Sequence, residues 1–399
     1  MYGYYKRSLL RMCRLLHELR LDPLGEKHKC LLLQEQILAT LMRIEKNIRR
    51  HRTELKEIRR YLSLGRELSL DRAEANRAKR AIAWHNARIK DYQLLLITFR
   101  SIGDGLAFTY FDKWDIKPLA LKEPSGFISE KSGLKFELKI LRLAFSLGNI
   151  ALLNDLTNCL RHGDLMILSK GRWMFVEAKS GRRKDARAKR QGSELNDIVG
   201  YLASGKSEKF HAAGGLEGEF TRLSIHGPEL NRRDELNSLI TSAAHSPDSY
   251  SMVEVEPGLH YLASYTSHPK VLSSLGGKPP GSLIFSLINE LKYDGTGYYP
   301  FVLSIYDPKD WYDFYSGRLM LVVGVETKAI EDKLSRHGIS VNIREDWGNY
   351  PITLTRKGPG EQSSESLVGG HFFGRLFYEF LSLDWMLEEL VYLHHHESS

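Results

Sequence analysis

The sequence predicts a mixed α/β protein with a helical arm in front and a small α/β module behind. Three observations lead there. Apolar residues between Ile37 and Phe99 recur in alternating steps of four and three. A strand, a tight turn and a second strand occupy Asp164 to Lys179, between two helical segments. The last third alternates strand-like with helix-like runs.

The arm comes first. Ile37, Leu41, Ile44, Ile48, Leu55, Ile58 and Leu62 form a coiled-coil seam in which His51 fills the single gap. After a break at Gly65, Asp71 is placed to cap a second run, Ala78, Ile82, Ile89, Tyr92, Leu96 and Phe99, with His85 in its register. Two such helices joined by a short loop make an antiparallel coiled-coil hairpin. Between Arg43 and Lys90 stand fifteen Lys/Arg against six Asp/Glu, so its outer faces are strongly basic. That suits a DNA-contacting or dimerising arm, and equally a solvated charged face around a structural hairpin.

From Ile102 to Phe127 the pattern breaks into Gly, Pro and aromatic residues, with Lys122–Gly126 as a linker. Beyond it a helix over Gly133–Ser146 places Leu134, Leu138, Leu141 and Phe145 on one side, followed by the apolar stretch Ile150–Leu160. Paired strands and a helix over Asp185–Leu202 come next. Gly214, Gly215 and Gly218 mark a loop, Met252–Tyr265 reads as strands, and Gly276–Gly281 as a second linker. The remainder predicts strands at Phe301–Tyr306, Leu319–Val325 and Ile339–Ile343, a helix over Thr327–His337 and a last helix over Phe372–Tyr392. The expected divisions are residues 1–105 for the arm, 106–270 for the central α/β domain, and 271–399 for the C-terminal module.

Composition narrows the function classes. A formal charge of +8 and a pI near 9.1 favour polyanionic partners. Cys13, Cys30 and Cys159 show no CxxC spacing, which argues against a disulfide framework or a cysteine-held zinc and for a reducing, cytoplasmic setting. The apolar, uncharged stretch Leu143–Asn154 is far short of the roughly 20 residues that span a bilayer, so no membrane association is expected. Arg11 and Arg14 interrupt the apolar residues at the N-terminus, which therefore lacks the core of a secretory signal. The glycine-rich segments lack the Lys-Ser/Thr ending of a phosphate-binding loop.

The chemistry is concentrated in the central hairpin. Phosphodiester cleavage needs a hard cation held by convergent carboxylates. If Lys170-Gly171 is a two-residue turn, Ser169 pairs with Arg172, Leu168 with Trp173, and the continued register sets Asp164 opposite Glu177 on one sheet face. Strand alternation adds Lys179 to that face, and the carbonyl of Ala178 between them is a candidate for a further metal ligand. Asp164 and Glu177 are then expected to hold Mg²⁺, with Mn²⁺ able to substitute, and Lys179 to orient or deprotonate the attacking water. The apolar runs Leu165–Leu168 and Trp173–Val176 read as buried strands, where terminal charges need a partner. The competing reading is an exposed cross-strand charge cluster of little energetic worth.

Gly163-Asp164 followed by Glu177-Ala178-Lys179 resembles the signature of the PD-(D/E)xK, restriction-endonuclease-like nuclease superfamily. Upstream, Gly133-Leu134-Lys135-Phe136-Glu137 with Leu147-Gly148 is similar to that family's first core helix, which makes Glu137 the candidate third acid, with Glu130 and Asp155 as substitutes. Downstream, Arg182, Arg183, Lys184, Arg187, Lys189, Arg190 and Gln191 resemble its following helix, which commonly lies along DNA and sometimes supplies a glutamine or a lysine to the site. Gly163 replaces the proline of the motif's name, at a position that is not a ligand.

The resemblance spans about Gly126 to Leu202. It implies a central mixed sheet flanked by helices and a Mg²⁺-dependent endonuclease acting on nucleic acid, DNA before RNA, in restriction-like defence. The arm would then serve self-association or a protein partner. The contrasting expectations are a non-catalytic nucleic-acid-binding or scaffold subunit that keeps the nuclease fold, and a coiled-coil adaptor whose hairpin charges are incidental. Trp173 and Phe175 are assigned to core packing. His394–His396 are assigned to a frayed tail without a role.

Overall fold

The four-and-three spacing folds into two long antiparallel helices. In the computed structural model, which describes residues 2–67, 71–120, 126–178, 186–207, 220–222, 225–266, 282–344, 350–357 and 363–396, these are α2, Lys27–Glu67, and α3, Arg72–Tyr110. Ile37, Leu41, Ile44 and Ile48 are fully buried along the seam. Asp71 stands at the N-cap of α3 but its side chain makes no capping hydrogen bond.

The helices outrun the expected seam, for a physical reason. From Leu95 to Phe108 nearly every residue of α3 is buried, so no polar face exists to reveal a helical period. At Gly103 a Cβ would stand 2.0 Å from the carbonyl oxygen of Leu156, a close approach that only glycine allows. A further helix not expected from the sequence, α1, Tyr2–Leu21, buries Tyr5, Leu9, Met12, Leu16 and Leu19. Arg11 and Arg14, which interrupt the apolar run, lie on its exposed face.

The chain divides into two compact units, Met1–Thr221 and Arg222–Ser399. The first continues after the helices with α4, Lys113–Leu119, a 3₁₀ turn at Ile128–Glu130, and α5, Leu134–Ser146. Three strands follow, β1, Ile150–Leu153, β2, Leu165–Ser169, and β3, Arg172–Val176, then α6, Ala186–Ser204. The strands form an antiparallel sheet in chain order. Lys170 and Gly171 have φ of 50° and 75°, the two positive angles of a type I′ turn, and the register runs from Ser169↔Arg172 to Leu165↔Val176. A small pair, β4, Lys206–Ser207, with β5, Phe220–Thr221, ends the unit.

Two expectations about this sheet are corrected. Every strand pairing among the described residues is antiparallel, where a central mixed sheet was expected. And β3 is an edge strand in the described structure rather than a buried central one, with Met174 49% exposed. Its Trp173 packs within the unit, stacked on Phe111 at 3.8 Å between ring centroids.

The second unit opens with α7, Arg233–His245. A four-stranded antiparallel sheet is built from β6, Tyr250–Glu256, β7, Leu259–Ser264, β8, Leu283–Leu287, and β9, Met320–Glu326, in the order β6-β7-β9-β8. Ile339–Ile343, Ile352–Lys357 and Ser363–Val368 form a second antiparallel sheet, preceded by a helix over Thr327–Ser335. Phe301–Tyr306, expected as a strand, is instead a helical turn, Phe301–Ser304, led by Pro300. The last expected helix is broken into Gly370–Phe373, Arg375–Tyr378 and Leu383–His396. The break is at Phe380, whose φ is 53° and whose carbonyl accepts from the Arg232 amide at 2.7 Å. His394, expected in a frayed tail, is 1% exposed and bonded to Ser366 at 2.7 Å. No described helix is long and apolar enough to cross a membrane. Both expected linkers, and the glycines at 214, 215 and 218, fall wholly or largely outside the described residues.

Candidate active site

At the open end of the β2–β3 hairpin the regular ladder stops one pair short of Asp164 and Glu177. Gly163, at φ 74°, turns the chain there, and the Asp164 amide donates to the carbonyl of Val176 at 3.0 Å. The side chain reaches past the ladder: the Ala178 amide donates to Asp164 Oδ2 at 2.8 Å. Asn154 braces the turn, donating from Nδ2 to the carbonyls of His162, at 2.6 Å, and Gly163, at 3.2 Å. Its own amide donates to the carbonyl of Asp164 at 3.0 Å.

Glu137 enters from α5. It lies in the first turn of that helix and is 3% exposed. A Cβ on Gly133 would stand 3.1 Å from Glu137 Oε1 and 3.9 Å from the Ala178 carbonyl, so the glycine keeps open the small space that both oxygens face. Oε2 of Glu137 is buried and has no hydrogen-bond partner among the described residues. Burial, reinforced by the charge on Asp164, pushes this carboxyl up to about 7.

Two residues that sequence reasoning left aside or ranked second complete the cluster. The Lys131 ammonium is paired with Asp155 and lies 3.9 Å from Asp164 Oδ1. Burial opposes its charge, but Asp155 more than offsets that and holds the ammonium above the usual lysine range. Asp155 is 6% exposed, whereas Glu130 is on the surface. A signal for Lys131 exists only in three dimensions. Its turn is held by Glu45 of α2, which accepts from the amides of Ile128 and Ser129 at 2.9 Å each.

The arm is therefore part of the scaffold. Gln34 of α2 bonds the β1 backbone as a strand would, donating to the Ala151 carbonyl at 2.8 Å and accepting from the Leu153 amide at 2.9 Å. Arg100 of α3 donates to the Asp155 carbonyl at 3.1 Å. Asp104 accepts from the amides of Asn158, at 2.6 Å, and Cys159, at 3.0 Å.

Of the expected site residues, Asp164, Glu177, Ala178 and Glu137 come to one end of the hairpin. Lys179, Arg182, Arg183 and Lys184 lie outside the described residues. Arg187, Lys189, Arg190 and Gln191 fall in α6, with side chains outside the description.

The donors are all oxygens, carboxylates and the neutral Ala178 carbonyl, the type a hard divalent cation prefers, and one buried oxygen lacks a partner among the described residues, but no three of these carboxylates bring ligating atoms within 4.8 Å of one another. Elsewhere, two groups of three described residues bring ligating atoms within 4.8 Å of one another, His51, Glu54, His85 and Glu254, His260, Glu326; neither includes the carboxylates of this cluster. Comparison with known protein families, curated proteins and solved structures found no match.

Proposed function

We propose that this chain is a Mg²⁺-dependent endonuclease that hydrolyses phosphodiester bonds, with DNA as substrate. The observation that carries the proposal is Glu137: a helix-borne carboxylate, buried, with an oxygen lacking a partner among the described residues, facing the same space as the Ala178 carbonyl beside Asp164. Burying such a charge is costly unless something cationic meets it. The order of helix α5, hairpin β2–β3 and helix α6 is compatible with the PD-(D/E)xK resemblance.

Glu137, Asp164, Glu177 and the Ala178 carbonyl would hold the ion. When bound, Mg²⁺ supplies neutralisation of the charge developing on the phosphate and a water of lowered pKa. The chain's own residues do the rest. The Ala178 amide fixes the Asp164 carboxylate, Lys179 orients or deprotonates the attacking water, and Lys131 balances the acids on the side of Asp155. The basic run from Arg182 to Arg190 and the exposed arginines on the outer half of the arm would meet the phosphate backbone. Restriction-like defence against foreign DNA is the role proposed, by analogy with the family.

One observation favours a second reading. Lys131 already neutralises part of the acidic cluster, as expected of a nuclease fold retained for binding or scaffolding without catalysis. Purified protein incubated with duplex and single-stranded DNA and RNA, with Mg²⁺, Mn²⁺ or chelator, separates the two. Metal-dependent cleavage abolished in Glu177→Ala and Lys179→Ala supports the nuclease. Cleavage unchanged in either variant defeats the mechanism, and binding without cleavage supports the scaffold.

A further inference from the structure

The arm contains a feature that the proposed nuclease does not use. Its apolar seam is interrupted once on each helix, at His51 and His85, and the two histidines meet across the hairpin at 3% and 9% exposure. Their Nδ1 atoms are 2.9 Å apart. Glu54, one turn beyond His51, brings Oε2 to 3.5 Å from Nδ1 of His51 and 3.2 Å from Nδ1 of His85.

We infer that His51, Glu54 and His85 form a binding site for a zinc-class divalent cation that clasps the two helices of the arm. Tetrahedral Zn²⁺ with N and O ligands at roughly 2.0–2.2 Å has ligand atoms about 3.3–3.5 Å apart. The three distances here lie at or just below that edge length, so a shift of a few tenths of an ångström in one imidazole completes the triangle. Two imidazole nitrogens and one carboxylate select zinc and its transition-metal neighbours over Mg²⁺, which prefers oxygen alone.

The surroundings fit a ligand set. Trp84 packs edge-on against both imidazoles, at 5.4 Å from His51 and 4.7 Å from His85, and Tyr92 lies 5.8 Å from His51. These rings shield the imidazoles, while Glu54, 42% exposed, leaves a side open for a water as fourth ligand. Of the nearby cations, Arg50 lies 3.9 Å from Oε1 of Glu54, the oxygen turned away from the histidines, and Arg88 lies over the Trp84 ring and 3.6 Å from Asp91. The group on β6, β7 and β9 is weaker, because Glu254 Oε1 already accepts the Gly258 amide and His260 is bonded to Glu326 at 2.6 Å.

The test uses the full chain stripped of metal and titrated with Zn²⁺ by calorimetry, then with Co²⁺ followed by its tetrahedral ligand-field absorbance. The comparison protein is His51→Leu/His85→Leu, which completes the apolar seam and so keeps the hairpin folded. Wild type is expected to bind one equivalent more than this variant, to show the Co²⁺ spectrum that the variant lacks, and to melt higher with Zn²⁺. Glu54→Gln should weaken binding by roughly 10-fold or more. Asp164→Asn should leave this equivalent intact, which separates the site from the carboxylate cluster; histidines at 394–396 would bind equally in both proteins. Equal Zn²⁺ stoichiometry in wild type and the double variant overturns the inference, as does a wild type that binds none; either result leaves a neutral, hydrogen-bonded histidine pair.

Discussion

The backbone amide of Ala178 donates to Oδ2 of Asp164 across 2.8 Å. One carboxylate thus both fixes the strand end that carries Glu177 and faces the acidic cluster, and the two duties can be separated. Asp164→Asn keeps an acceptor for the amide while removing the charge. Its cleavage should fall by roughly 100-fold or more with stability nearly unchanged. Asp164→Ala should lose the same activity and about 1–3 kcal/mol of stability besides, because the amide loses its acceptor. Urea melts and cleavage rates on the two variants check this; Asp164→Asn with wild-type cleavage would exclude Asp164 from the chemistry.

Glu137 predicts a metal-linked stability. Anything that binds the folded protein alone stabilises it, by about 2.7 kcal/mol at a hundredfold excess over the dissociation constant. Wild type should therefore melt higher in Mg²⁺ than in chelator. Glu137→Gln should show little of that increment, yet melt above wild type in chelator at pH 8, because the substitution removes a buried charge. An equal Mg²⁺ increment in both proteins would place the ion elsewhere.

What the sequence made legible here is what local chemistry decides. The Lys170-Gly171 turn was readable because Gly171 suits the positive φ that a type I′ turn requires at its second central position, and the strand register follows from it. The seam from Ile37 to Phe99 was readable because half of each helix faces water. Where burial is complete, as from Leu95 to Phe108, the period vanishes and the helix reads as a break. Lys131 could not be read, since its place depends on Glu45, more than eighty residues away in sequence, holding the turn before it. The broken last helix was hidden likewise, because Phe380 takes its positive φ in contact with Arg232. Lys179 was named from its spacing alone and lies outside the described residues.

Arg375 anchors that break. It is 0% exposed, pairs with Glu229, and donates from Nε to Glu379 Oε2 at 2.8 Å. Removing one partner of a buried ion pair leaves an uncompensated charge, at a cost of about 3–5 kcal/mol. Arg375→Ala should destabilise the protein by that amount in denaturant melts. Glu379→Gln, which keeps an acceptor, should cost less. Equal losses would mean that the charge on Glu379 matters as much as the whole guanidinium.

Lys292 gives a pH dependence with a definite sign. Burial lowers its ammonium from the ordinary 10.5 to about 8, although Nζ donates to the carbonyls of Phe314, at 3.2 Å, and Tyr315, at 3.1 Å. Between those two values the unfolded chain holds a proton that the folded chain has released, so stability from this residue rises as pH increases through the window. Below about 8 both states are charged and the fold carries the full cost of a buried ammonium. Lys292→Met removes the titration while keeping an unbranched stem of similar length. Urea midpoints of both proteins at pH 7 and pH 10 isolate the effect from other titrating groups. The variant should be the more stable at pH 7, and its advantage should shrink towards pH 10. A difference that stays constant with pH would mean that the lysine keeps its proton across the range, held by the two carbonyls.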